Sequence, residues 1–286
     1  MTKTEKSIEF EFIAGLTAEL SSNELIFPTS LNATMKIRRA LSQPEMSIDV
    51  VVRIVSAEPV LSAQMLRLSN SAMANHTGKK IVDLRSAIML LGFTAVRNVA
   101  ISVGMKQLVD QKRNEVLSKN MDGLWTRSLR VAALSSIIAK RMTRLSPDKA
   151  MLAGLLHDVG KFYIMSRASH YQGLFVSDSA LWELVDHWHA SIGAAILENW
   201  DLDQDIRDAV MDHRMINLPL TSKPSLTDVV ATADFLDAHF VNDSLSGLDW
   251  DAMPSAMKNL QLDADKCQML MNESKVELSL ILQAIA

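Results

Sequence analysis

The chain has 286 residues and a mass of 31.7 kDa, enough for one large domain or two modest ones. Hydrophobic residues make up 48% and charged residues 22%, which excludes wholesale disorder, collagen-like repeats and coiled-coil fibres. Only 10 Gly and 7 Pro punctuate the chain, and 17 Met exceed its aromatic residues, so long helices are favoured over many short strands.

The net charge is −4 and the pI about 6.0, with Lys and Arg scattered along the chain, so no direct nucleic-acid partner is expected. A single Cys267 excludes an internal disulfide and any CxxC pair, which fits a reducing cytoplasm. The run from Met1 to Phe12 carries acids where a signal peptide needs an apolar core, and no 18 apolar residues run together, so neither secretion nor a membrane span is expected.

After an N-terminal segment, residues 1–15, the pattern predicts short helices at Asn32–Leu41 and Ser47–Ser56, separated by a Ser42-Gln-Pro-Glu turn. Pro59 opens a helix through Leu68, which Asn70-Ser71-Ala72 closes before a polar loop to Lys80. Leu84, Ala87, Ile88 and Leu91 form an i, i+3, i+4, i+7 stripe that stops at Gly92, and a further helix starts at Thr94. The charge-rich stretch Leu108–Asn120 reads as a boundary between lobes. Beyond it come a helix at Leu124–Met142, a Ser146-Pro147 helix start leading to Leu156, helices near Leu181–Asn199, Asp203–His213 and Ser225–Phe240, and a tail helix at Ser274–Ala286. With no internal repeat and no alternating strand, the expected fold is all-α, in two packed helical lobes over 16–110 and 121–240, followed by an extension over 241–286.

Gly154-Leu-Leu-His-Asp-Val-Gly-Lys161 is the stretch richest in chemistry, because an apolar helix end meets His157 and Asp158. Neighbouring side chains at a helix end project about 100° apart, so an imidazole and a carboxylate can converge on one cation. Three downstream polar residues also fall on apolar stripes: His189 with Val185 and Ile192, His213 with Ile206 and Val210, and Asp234 with Val230 and Ala233. A polar group facing the interior without a partner costs roughly 1–3 kcal/mol, and one shared site would satisfy all five. Each histidine taken alone also fits a hydrogen-bonded core residue, whereas a core-facing Asp234 demands a cation or donors. Lys161 reads as a solvated cation at the helix end or as a phosphate-binding charge. His76, His170, His187 and His239 fall off the stripes and are expected at the surface.

At these residues the chain resembles the HD phosphohydrolase superfamily, whose pattern is an early His, then His-Asp, then a late Asp. Glu58-Pro59 through Ala72, Leu84-Arg-Ser-Ala-Ile-Met-Leu-Leu-Gly92 and Leu124-Trp-Thr-Arg-Ser128 resemble the HDOD domain, the HD-related output domain of bacterial signalling, over about residues 16–240. The resemblance implies metal-ligand roles for His157, Asp158, His189, His213 and Asp234. Two positions depart from the family pattern: Arg127 stands where the first ligand histidine belongs, and Arg214 replaces the second of a His-His pair. A guanidinium about 5 Å from a divalent ion is repelled by roughly 6–7 kcal/mol at an effective dielectric near 20, and it cannot ligate. It can instead pair with Asp158 or Asp234 and take over the metal's charge.

The resemblance therefore implies a signalling module that binds a protein or a nucleotide-type ligand through its N-terminal lobe, with a degenerate metal site and no tightly bound metal. The alternative is a phosphohydrolase of a nucleotide or cyclic dinucleotide using Mn, Fe, Ni, Zn or Mg. There His157, Asp158 and Asp234 would hold one metal, His189 and His213 would assist, Arg127 and Arg214 would bind phosphate, and Lys161 would serve catalysis. The residues around Asn70 read as a simple helix end, whereas the resemblance implies a buried amide there that pins the junction between the lobes.

Overall fold

The computed structural model describes residues 3–21, 47–71, 74–76, 78–109, 115–168, 178–200, 202–221, 223–240, 249–250 and 252–285. Among these every regular element is a helix and none is a strand, as the scarcity of turn residues predicts. The expected helix at Asn32–Leu41 and His170 lie outside the described residues. The chain divides into two compact units, one of residues 1–26 and 111–271, the other of residues 27–110 and 272–286. This differs from the expected boundaries, because residues 16–26 belong with the larger unit and the C-terminal extension is shared between both.

In the smaller unit, α2 (Ile48–Ser56) and α3 (Pro59–Ser69) pack on α4 (Leu84–Val109) around Val51, Val55, Leu61, Met65, Ile88, Val96 and Ala100. Pro59 sits in the first turn of α3, where its missing N–H leaves no bond unmade. The Ser62 hydroxyl donates to the Val55 carbonyl at 2.8 Å, which fixes the turn between α2 and α3. Helix α4 breaks at Gly92, whose φ of 78° only glycine adopts without strain, so the predicted stop becomes a kink between two helical stretches. By length and composition α4 could cross a membrane, yet half of that apolar window is buried inside the fold.

The larger unit is built from α5 (Glu115–Met142), α6 (Pro147–Leu156), α7 (Val159–Ala168), α8 (Asp178–Asn199), α9 (Gln204–Asp212) and α10 (Leu226–Phe240). Ser146 caps α6 by accepting from the Lys149 N–H at 3.3 Å, with Pro147 behind it as predicted. Helix α5 packs along α6 and α10, and α9 packs on α8 and α10, so four helices converge on the turn between α6 and α7. The short α11 (Ser255–Asn259) lies against α10, and α12 (Ala264–Ile285) ends the described chain.

Helix α1 (Lys3–Ser21) belongs to this unit because it docks on α8 and α7. Phe12 and Leu16 are buried, and Glu19 accepts from the Tyr163 hydroxyl at 2.6 Å while pairing with Arg167. The Asn199 side-chain amide donates to the Leu20 carbonyl at 3.2 Å and so closes the C-terminal end of α1. Helix α7 is invisible to the sequence pattern, since Gly160 and Lys161 look like a helix end rather than a first turn.

Candidate functional site

The turn His157-Asp158 joins α6 to α7, and both side chains are fully buried. The Asp158 carbonyl accepts from the N–H of Lys161 at 2.9 Å, which starts α7 at once and leaves the carboxylate at its N-terminal end. Gly160 lets α7 press backbone against backbone on α8: a Cβ there would lie 1.9 Å from the His189 carbonyl oxygen. That approach sets Asp158 beside His189 and, through α9, beside His213.

Three imidazoles are oriented in one way. His157 Nδ1 lies 2.7 Å from the Gly154 carbonyl, His189 Nδ1 3.0 Å from that of Val185, and His213 Nδ1 2.7 Å from that of Val210. A carbonyl only accepts, so each Nδ1 carries the proton, and each Nε2 points into the site.

The site has two halves that share Asp158. On one side, Arg127 from α5 donates through Nη1 to Asp158 Oδ2 at 2.7 Å and to His157 Nε2 at 2.9 Å. Its Nη2 donates to Asp234 on α10, and its Nε lies 3.4 Å from Asp237 Oδ2. Arg130, one turn along α5, grips Asp237 in a bidentate pair at 2.7 and 3.0 Å.

On the other side, Asp158, His189 and His213 form a group whose donor atoms all lie within 4.8 Å of one another. The two Nε2 atoms are 3.3 Å apart, and each lies 3.7–3.8 Å from Asp158 Oδ1. Oδ1 is buried and accepts no aligned hydrogen bond, although Lys161 Nζ stands 3.1 Å away. Two neutral imidazoles facing each other through lone pairs, beside an orphaned carboxylate oxygen, are a donor set that fits a small divalent cation. Ligand atoms around a four-coordinate ion at roughly 2.1 Å are about 3.4 Å apart.

Burial would raise the Asp158 carboxyl, but the His157 ring and the cations Lys161 and Arg127 hold it well below the ordinary range. Burial lowers His189, and burial, with the neighbouring His157 ring, pushes His213 down to about 3. Burial also opposes the charge on Arg127, yet the carboxylates of Asp158, Asp234 and Asp237 outweigh it and raise its affinity for its proton. Asp158, Asp234 and Asp237 thus face Arg127, Arg130 and Lys161, and Lys161 also lies 3.8 Å from the more exposed Asp186 Oδ1.

Of the sequence candidates, His157, Asp158 and Asp234 gather around Arg127, whereas the potential metal group is Asp158 with His189 and His213 rather than His157, Asp158 and Asp234. Lys161 is not solvated: it is 5% exposed and directed at Asp158, because α7 begins so close behind the turn. Arg214 is exposed in the turn after α9, and its charge is one of the influences that disfavour a protonated His189. Asn70 is exposed rather than buried, and its amide bonds Leu66 and Ile81, both within the smaller unit. His76 and His187 are exposed as expected. Arg130 and Asp237 went unnoticed, although Arg127/Arg130 and Asp234/Asp237 repeat the same three-residue spacing on two helices.

The profile of the HDOD domain matches residues 27–216. An uncharacterized protein of Treponema pallidum (strain Nichols) is 24% identical over 243 residues, which cover 78% of this chain and 45% of that protein, so the chain spans less than half of this relative. Among solved structures, a candidate metal-dependent phosphohydrolase from Shewanella amazonensis is 25% identical, with a TM-score of 0.66 over 94% of this chain and 99% of its own. An HDOD domain protein of unknown function from Geobacter sulfurreducens shares the fold at 22% identity and a TM-score of 0.65, covering 99% and 96% of the two chains. A candidate signal transduction protein from Marinobacter aquaeolei does so at 18% identity and a TM-score of 0.62, covering 97% and 65%.

Proposed function

The chain belongs to the HDOD domain family, and from that premise we propose that it is a cytoplasmic signalling module that works by binding a protein or a nucleotide-type ligand, without catalysis. The observation that carries this reading is the Arg127 guanidinium, which supplies positive charge to His157, Asp158 and Asp234 from within the chain. Its N–H groups are turned inward to carboxylates, so they are poorly placed to grip a substrate phosphate. Arg127 and Lys161 would both repel a metal placed beside Asp158, which argues for weak occupancy.

A second reading rests on the orphaned Asp158 Oδ1: Asp158, His189 and His213 would hold a single divalent metal in a phosphohydrolase. When bound, such an ion supplies an acidic water and polarises a phosphate. The protein's own part is to hold both Nε2 atoms and Oδ1 in place and to keep the carboxylate ionised.

Elemental analysis of protein purified without chelator separates the two. The first reading expects well under one metal per chain, and expects Arg127→His to raise Mn²⁺ or Zn²⁺ affinity at least tenfold in calorimetric titration, about 1.4 kcal/mol. Near-stoichiometric metal in the unaltered protein would overturn it in favour of the second.

A further inference from the structure

A groove of about 830 Å³ lies on the smaller unit between the last turn of α3 and the segment leading to α4. Leu66, Ile81 and Val82 give it apolar walls, and Arg67 and Lys80 add positive charge. Its two sides are tied through backbone: the Asn70 amide donates to the Ile81 carbonyl at 2.7 Å and accepts from the Ile81 N–H at 2.8 Å, while also holding the Leu66 carbonyl at 2.8 Å. These bonds hold the two sides of the groove at a fixed spacing, so the cleft is preorganised.

Charge is divided unevenly between the units. The smaller unit, residues 27–110 and 272–286, contains eleven Lys and Arg against seven Asp and Glu, although the whole chain has 29 against 33. The groove thus belongs to a basic segment of an acidic protein, and like charge elsewhere on the chain would steer an acidic partner toward it. Val82 is 72% exposed. With Leu66 and Ile81 beside it, Val82 gives the cationic groove an apolar side that a partner can cover.

We infer that this groove docks an acidic segment of another protein, one that lays leucine- or phenylalanine-type anchors on Leu66, Ile81 and Val82 and its carboxylates on Arg67 and Lys80. A peptide suits it better than a buried small molecule, because ligand pockets enclose most of their guest and this one leaves Val82 and Asn70 open. It suits it better than nucleic acid, because two cations on an apolar wall are too few to track a phosphate backbone. The inference is independent of the Arg127 site, so Arg127→His should leave it untouched.

The test uses the full chain with isotope-labelled Leu, Ile and Val methyl groups. The probes are a synthetic twelve-residue peptide of Asp, Glu, Leu and Phe, its counterpart with Lys in place of the acids, an acidic peptide lacking Leu and Phe, and a twelve-nucleotide single-stranded DNA. The expected result is saturable shifts at Leu66, Ile81 and Val82 with the first peptide only. Its affinity should fall at least tenfold in Arg67→Glu/Lys80→Glu, and also in the milder Arg67→Gln/Lys80→Gln to a smaller degree. Val82→Ser should weaken binding without changing its salt dependence. Absence of these shifts at millimolar peptide, unchanged affinity in the charge-reversed chain, or stronger binding of the lysine peptide or the DNA at the groove would overturn the inference.

Discussion

Arg127 Nη1 touches Asp158 Oδ2 and His157 Nε2 at once, at 2.7 and 2.9 Å, so one nitrogen of the chain engages both residues of the turn between α6 and α7. Because Asp158 is fully buried, removing this cation leaves Oδ2 without its donor and only Lys161, at Oδ1, to offset the charge. Arg127→Ala should cost about 3–5 kcal/mol, the range for breaking a buried pair from one side. Arg127→Lys should recover part of that, since a point charge cannot reach Asp158, Asp234 and His157 together. Urea denaturation of the three proteins checks the order, and equal midpoints would remove Arg127 from its structural role.

Stability should fall as pH drops below about 6.5, before the carboxylates titrate. His213 is pushed down to about 3 in the folded state, so between that value and its ordinary 6.5 the unfolded chain binds a proton that the folded chain refuses. The slope from this ring is at most about 1.4 kcal/mol per pH unit, with His189 adding in the same direction. Asp158 works in a lower window: its folded carboxyl is depressed, so its contribution is complete above the unfolded value and is lost only as pH falls through the folded one. Denaturation midpoints of the unaltered chain and His213→Gln between pH 7 and pH 5 decide the matter. Parallel, flat profiles would contradict a neutral buried His213.

Docking of α1 can be read from the bond between Tyr163 and Glu19, at 2.6 Å. Burial pushes the Tyr163 phenol up, which keeps it protonated as the donor. In a double-mutant cycle with Tyr163→Phe and Glu19→Gln, the coupling should reach about 1.5–3 kcal/mol, as for hydrogen bonds to charged groups. Strictly additive effects would mean that α1 is not held there in solution.

Gly160 and Gly193 sit at the same crossing of α7 and α8 but should respond differently. A Cβ on Gly160 would meet backbone at 1.9 Å, whereas one on Gly193 would first meet the Val210 methyl at 3.1 Å, a side chain that can yield. Gly160→Ala should therefore cost about 3 kcal/mol or more, or prevent folding, and Gly193→Ala about 1 kcal/mol. Thermal unfolding of both proteins reads the difference, and a well-folded Gly160→Ala of ordinary stability would rule out the close approach.

Much of this arrangement was legible because apolar periodicity betrays a polar residue on the wrong face. His189, His213 and Asp234 each interrupt a stripe that the fold buries, and His189 and His213 are indeed buried. Much of the helix order was legible for the same reason, down to Pro59, Ser146 and the break at Gly92, although α1 and α7 were not. What periodicity does not carry is the distance between helices. Lys161 looked solvated because nothing local reveals that α7 starts against α8, and the buried role for Asn70 came from the family resemblance, where the residues themselves read as a helix end. Asp237 and Arg130 remained hidden because a buried ion pair 107 residues apart has no local signature beyond its matched spacing.

Each histidine of the cluster is aimed by a carbonyl of its own local helix turn, three or four residues upstream, rather than by its neighbours in the site. The imidazoles are thus set independently, like pegs in separate boards, and losing one need not disturb the aim of the rest.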